Sequence, residues 1–160
     1  MIIRRVEPDD LDEITKLESV CFPEGEAATR EVFAYRIAAY PECFYVAVEN
    51  GKIIGMVNGC VTDSLTISDD LFKPGGGHNP NGKHQAVFGL LVDPGYRKKG
   101  VAASLMNHFM DTARQSGREK MILTCKEHLI KYYENFGYVN LGISKSTHGG
   151  AVWYDMAADL

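Results

Sequence analysis

The chain has no C-x-x-C pair. Its four cysteines, Cys21, Cys43, Cys60 and Cys125, lie far apart, so neither a zinc ribbon nor a redox motif is indicated, and reduced thiols serving as small core residues are expected. Its five histidines show no H-x-x-x-H spacing, so no metal is expected. No serine stands in a nucleophile elbow. No G-x-G-x-x-G occurs, which removes the dinucleotide fingerprint. No apolar run approaches membrane-spanning length, and the first residues, MIIRRVEPDDLDEI, are not a signal peptide, so a cytoplasmic location is expected. Excess positive charge is also missing. A net charge of −4 argues against a nucleic-acid binder with a broad basic surface. What remains, 160 residues with 45% hydrophobic and 24% charged content, fits one domain spanning residues 1–160 with a sizeable core.

The stretch Phe88–Ala113 organises the chain. Phe88 to Val92 is an apolar run of strand length, stopped by Asp93-Pro94-Gly95 because Pro94 removes a backbone donor. Ala102, Leu105, Met106, Phe109, Met110 and Ala113 then recur at spacings of three and four, the apolar face of a helix. Between them lies Arg97-Lys98-Lys99-Gly100-Val101-Ala102-Ala103. A helix start offers unpaired N–H groups and a positive dipole end, which suits a phosphate. Gly100 permits close backbone approach, and Arg97, Lys98 and Lys99 add positive charge. An ordinary turn with a solvated basic face fits the same residues. Gly95 to Gly100 has Walker spacing, but Val101-Ala102 follows where Lys-Ser/Thr is required.

Read in order, Ile2–Val6 is a strand, and Pro8 with its acidic neighbours opens a helix that carries Leu11, Ile14, Leu17 and Cys21. A short acidic loop, Pro23–Ala28, leads to a second helix over Thr29–Ala39. Cys43–Val48 and Ile53–Val61 form a hairpin about Asn50-Gly51. Residues 63–83, rich in glycine and proline, make a long loop that either covers a substrate site or is a flexible excursion. After the central helix come a strand at Met121–Cys125, a helix at His128–Phe136, and strands at Tyr138–Ile143 and Ala151–Met156. The order β-α-α-β-β-loop-β-α-β-α-β-β is a mixed α/β arrangement on one sheet.

Leu90-Leu91-Val92 followed by Arg97-x-x-Gly100-x-Ala102 resembles the [R/Q]-x-x-G-x-[G/A] signature of the GNAT acetyltransferase superfamily. The Tyr132-Tyr133-Glu134-Asn135-Phe136-Gly137-Tyr138 stretch is similar to that family's second marker. Arg5–Asp10, Glu18–Pro23 and Leu123–Glu127 extend the resemblance toward its arylalkylamine branch and bacterial relatives. The resemblance implies the GNAT fold, a central, mostly antiparallel sheet of about seven strands flanked by about four helices. It implies an acyltransferase of the EC 2.3.1 type that moves an acetyl group from acetyl-CoA directly to a small primary amine, aromatic amines included. It also implies pantetheine along Leu90, Leu91 and Val92, and pyrophosphate at Arg97, Lys98, Lys99, Gly100, Val101, Ala102 and Ala103. Tyr133 would be the general acid that protonates the departing thiolate; otherwise it is an aromatic core residue.

The family's paired histidines fall on Ala86 and Phe88, and neither accepts a proton. His84, two residues upstream, is the substitute base, acting through water; a solvent-exposed histidine at a strand start is the plainer alternative. Phe22, Glu24 and Glu26 lie in the segment whose family counterpart meets the amine, though the two glutamates also suit the cap of the second helix. With the base positions lost, a non-catalytic acyl-CoA-binding module stands as an alternative, as does an acceptor that is a protein N-terminus or lysine. The implied partner is a small-molecule amine, without nucleic acid or membrane, and both monomer and homodimer fit.

Overall fold

A computed structural model describes all 160 residues. Seven strands, β1 (Ile2–Arg5), β2 (Phe44–Glu49), β3 (Lys52–Thr62), β4 (His84–Val92), β5 (Lys120–Cys125), β6 (Val139–Ile143) and β7 (Tyr154–Asp159), form one sheet in the order β1-β2-β3-β4-β5-β7-β6. Four helices accompany them: α1 (Leu11–Cys21), α2 (Arg30–Ala39), α3 (Val101–Gln115) and α4 (Ile130–Glu134). Pairing is antiparallel for β1–β2, β2–β3, β5–β7 and β6–β7 and parallel for β4–β5. This is the expected mixed, mostly antiparallel sheet.

The chain divides into two compact units, each made of two segments. The first comprises Met1–Gly59 and Gly89–Phe109. Its core gathers Val6, Ile14, Leu17, Phe33, Ile37, Phe44, Val46, Ile53, Met56 and Leu91. Phe33 meets Phe44 edge to face at 5.9 Å between centroids. Ile14 and Phe33 are fully enclosed, so truncating either to alanine should cost about 2–5 kcal/mol. The α1 start is tied to β1 by Arg4, whose two terminal nitrogens donate to the Asp10 carboxylate at 2.8 and 3.0 Å. Thr29 caps α2 by accepting the Val32 N–H at 3.4 Å.

The second unit comprises Cys60–Phe88 and Met110–Leu160. It buries Met121, Ile122, Leu123, Cys125, Tyr138 and Met156. None of the cysteines is in a disulfide, and Cys43, Cys60 and Cys125 are buried as core residues.

Several boundaries depart from periodicity. β4 starts at His84, four residues before Phe88, because Gln85 and Val87 are buried along with His84 and Ala86. A strand buried on both faces carries no alternation to read. The last strand is Tyr154–Asp159, shifted from the expected Ala151–Met156. Left-handed turns at Gly149 and Gly150 (φ 63° and 73°) hold the chain out of the sheet until Ser144 N–H reaches Trp153 O at 2.7 Å. The expected helix at His128–Phe136 is a short 3-10 turn, Glu127–Leu129, followed by α4. No helix is long and apolar enough to cross a membrane.

Candidate active site

The turn before α3 is held in shape by short-range contacts. Asp93 accepts the Gly95 N–H at 2.8 Å, and that bond holds its carboxyl below the usual range. Lys52 adds an ion pair at 3.4 Å. Arg97 does not reach outward: its Nε donates to Val92 O at 3.2 Å, and its Nη2 lies 3.7 Å from Cys21 Sγ. It therefore clamps the turn onto the end of β4. Lys98 and Gly100 then adopt positive φ, 63° and 83°. A β-carbon at Gly100 would meet no atom within 4 Å, so its glycine is required by backbone angle rather than by space. Ser104 donates to Gly100 O at 3.0 Å, the first intrahelical bond of α3. The N–H groups of Val101, Ala102 and Ala103 precede it and have no helical acceptor. No acidic side chain occupies the first turn of α3. Lys98 and Lys99 are exposed, and Lys99 Nζ also lies 5.5 Å from the Tyr96 ring centre. Backbone donors, a dipole end and two exposed lysines together suit a phosphate ester. Of the expected inward face of α3, Leu105, Met106, Phe109, Met110 and Ala113 are buried; Val101 is buried in place of Ala102.

Upstream, β4 pairs with β5 over His84–Val87 only, although the strand continues to Val92. Phe88, Gly89 and Leu90 become half-exposed where that pairing ends, and Leu91 and Val92 are buried again. A strand edge left in this way can pair with an extended amide-bearing ligand.

Tyr133 projects from α4 and is 8% exposed. Its ring meets Tyr132 at 5.2 Å and Tyr138 at 5.9 Å, both edge to face. Burial first, then Cys125 and Tyr132, push its phenol well up from the ordinary value, so it carries its proton throughout the neutral range. Burial likewise pushes the Cys125 thiol up to about 11, and Cys125 Sγ lies 3.3 Å from Met156 Sδ. That environment makes Cys125 a packed core thiol and a poor nucleophile.

The remaining expected residues sit as follows. His84 is 4% exposed, which overturns the solvent-exposed alternative, and its Nδ1 has no hydrogen-bond partner. It shares a pleat face with Ala86 and Phe88 but stands four residues, about 13 Å, behind Phe88. Phe22 caps α1 and packs on the first core. Glu24 is exposed and Glu26 is half-buried, in a segment pinned by Ala28 N–H on Glu18 Oε2 at 2.8 Å. The loop at 63–83 is fixed at many points. Val61 N–H donates to His78 Nδ1 at 3.0 Å, Lys83 N–H to Asp63 at 3.0 Å, and Arg118 to Gly82 O and Pro80 O at 2.8 and 3.0 Å. A β-carbon on Gly82 would fall 2.8 Å from the Thr62 backbone, so this loop end lies tight on β3. Sequence reading passed over Asp69, which accepts from Ser146 Oγ and, at 3.3 Å, from Thr147 N–H. Pairs separated by that much chain leave no local signal.

A family model described as "Acetyltransferase (GNAT) family" matches residues 11–138. "Probable hydrolase YhcX" of Bacillus subtilis is 29% identical over 130 residues, covering 77% of this chain and 25% of that protein. Human "N-acetyltransferase 8" is 28% identical over 105 residues, covering 64% of this chain and 40% of that protein. The chain thus spans a quarter to two-fifths of the length of these two curated relatives. Among solved structures, the GphF GNAT-like decarboxylase in complex with isobutyryl-CoA superposes with a TM-score of 0.83 at 19% identity, over 99% of both chains. At that identity the likeness concerns the fold.

Proposed function

Because this chain belongs to the GNAT acetyltransferase family, we propose that it transfers an acetyl group from acetyl-CoA to a primary amine. The observation that carries the reading is the start of α3. Three N–H groups without helical acceptors, a left-handed Lys98 and Gly100, and an acid-free first turn form a phosphate seat. In this reading Val101, Ala102 and Ala103 hold the donor's pyrophosphate by their N–H groups, and Lys98 and Lys99 screen its charge. Arg97 keeps the turn in shape through Val92 O. The unpaired edge from Phe88 to Leu90 takes the amide-bearing arm, and a backbone N–H there polarises the thioester carbonyl.

Tyr133 delivers its proton to the leaving sulfur; its phenol holds that proton throughout the neutral range. The stoichiometry closes with one ammonium and one thioester giving one amide, one thiol and one proton. The C–S bond breaks as the C–N bond forms, with no acyl-enzyme. Thiol release from acetyl-CoA, measured against arylalkylamines, alkylamines, polyamines and short peptides, tests the proposal. Amine-dependent release is the expected result. Acetyl-CoA bound without release across the panel would leave a binding module.

A further inference from the structure

The transfer reading leaves the incoming ammonium without a proton acceptor at hand, since Ala86 and Phe88 cannot serve and His84 is enclosed about 13 Å behind Phe88. The strand register shows where one stands. Ala86 is paired with Ile122, so the two side chains share a face of the sheet, and Phe88 and Thr124, two residues on, share it as well. Thr124 is paired with Asp155, which places a carboxylate on that same face, one strand beyond β5. Asp155 is half-buried; its Oδ1 is enclosed without a hydrogen-bond partner, and the Ser144 hydroxyl bonds its carboxyl. A carboxylate with one oxygen lacking a donor is short of what burial demands. Burial raises its pKa, Ser144 works against that rise, and no charged side chain is among the groups acting on it.

Rings continue from Phe88. Its centroid is 4.9 Å from that of Phe72, which lies 5.7 Å from His148 at an interplanar angle of 14°. His148 is 6.1 Å from Trp153, whose Nε1 donates to His148 O at 2.8 Å. All four rings are half-exposed. At the far end Lys126 Nζ stands 5.8 Å over Trp153, so this surface already accepts a cation. Asp69 ties the Phe72 segment to Ser146 and Thr147, beside His148. All of these residues belong to the second unit.

We propose that Asp155 receives the acceptor's ammonium group, and that the ring series Phe88, Phe72, His148 and Trp153 receives its body, which makes the acceptor a primary amine on a flat, aromatic frame. Of the two protons the nitrogen gives up, the first passes to Asp155 and on to water. The second replaces the proton that Tyr133 gives to sulfur. The inference rests on the transfer reading and deepens it.

The test uses the full chain with acetyl-CoA and four acceptors: 2-phenylethylamine, hexylamine, spermidine and a tetrapeptide. Asp155→Asn keeps the shape and the Ser144 bond. It should lower kcat/KM for the preferred amine by about 100-fold or more, with acetyl-CoA affinity and melting temperature unchanged. If wild type releases thiol and Asp155→Asn matches it, Asp155 is not the acceptor group and the inference fails. If wild type binds acetyl-CoA but releases no thiol with any amine, the transfer reading itself fails. Should Asp155→Asn not fold, the wild-type preference decides: 2-phenylethylamine should exceed hexylamine by about tenfold, and a ratio at or below one overturns the aromatic acceptor.

Discussion

In the proposed reading, the turn from Arg97 to Ala103 and the ring series from Phe72 to Trp153 recognise their ligands by opposite means. In the turn the recognition groups are backbone N–H donors, and the side chains mostly shape it: Arg97 clamps Val92 O, and Gly100 supplies an angle. In the ring series the groups are side chains from β4, the 63–83 loop and the segment leading into β7, held together by Asp69. The first is contiguous in sequence and tolerates change in side chains. The second is assembled from distant segments and alters with each ring. A fold that keeps its donor seat in the backbone can change its acceptor by substitution elsewhere, and Ala86 and Phe88, standing where the resemblance expects histidines, fit that pattern.

The comparison can be broken most sharply at the chemistry the two regions serve. Tyr133→Phe should lower kcat by on the order of 100- to 10,000-fold while acetyl-CoA affinity stays close to wild type. An unaltered kcat in steady-state assays would return Tyr133 to the aromatic core. Next, Gly100→Asp sets a side chain at φ 83° and a negative charge at the phosphate seat. Its acetyl-CoA affinity should fall by roughly 100-fold or more, with Gly100→Ala nearer tenfold from backbone strain alone. Calorimetric titration distinguishes the two.

Asp69→Ala should leave the turn untouched and loosen the ring series. The acceptor KM should rise by about tenfold with acetyl-CoA affinity constant, since one charge-assisted anchor is lost. A parallel loss of both would mean that Asp69 supports more than the ring series. The smallest effect is on stability at alkaline pH. Burial pushes the Cys125 thiol up to about 11 from the 9.0 of a free thiol, so the folded form retains its proton longer. Its contribution is fully present below pH 9.0 and is lost as pH rises through about 11. Urea midpoints should therefore fall across that window, and Cys125→Ala should lessen the fall; Tyr133 and Tyr138, also raised by burial, act in the same direction from pH 10.0 upward.

The two regions also differ in how far they could be read from the chain. The strand, turn and helix start behind the proposed donor seat were legible because they follow one another, and Pro94, Gly100 and the periodic face of α3 mark each step. Even there, the inward reach of Arg97 was hidden, because nothing in the residues says whether a guanidinium turns to Val92 O or to a phosphate. His84 was legible as a residue and not as a position, since burial on both faces of β4 erases the alternation that would place it. Asp155 left no trace, because its face depends on the register of β4, β5 and β7, and a slip of one residue would turn it to the other side.

By itself, then, the amino-acid sequence determined the element order, the strand-turn-helix unit over Phe88–Ala113 and the family, because these depend on short-range periodicity, fixed φ preferences and contiguous motifs. Only the tertiary structure decided that the 63–83 loop is pinned, that His84 is enclosed, and that Asp155 shares a face with Phe88. Those are outcomes of strand register and side-chain burial, which arise between residues tens of positions apart and are set by packing rather than by local composition.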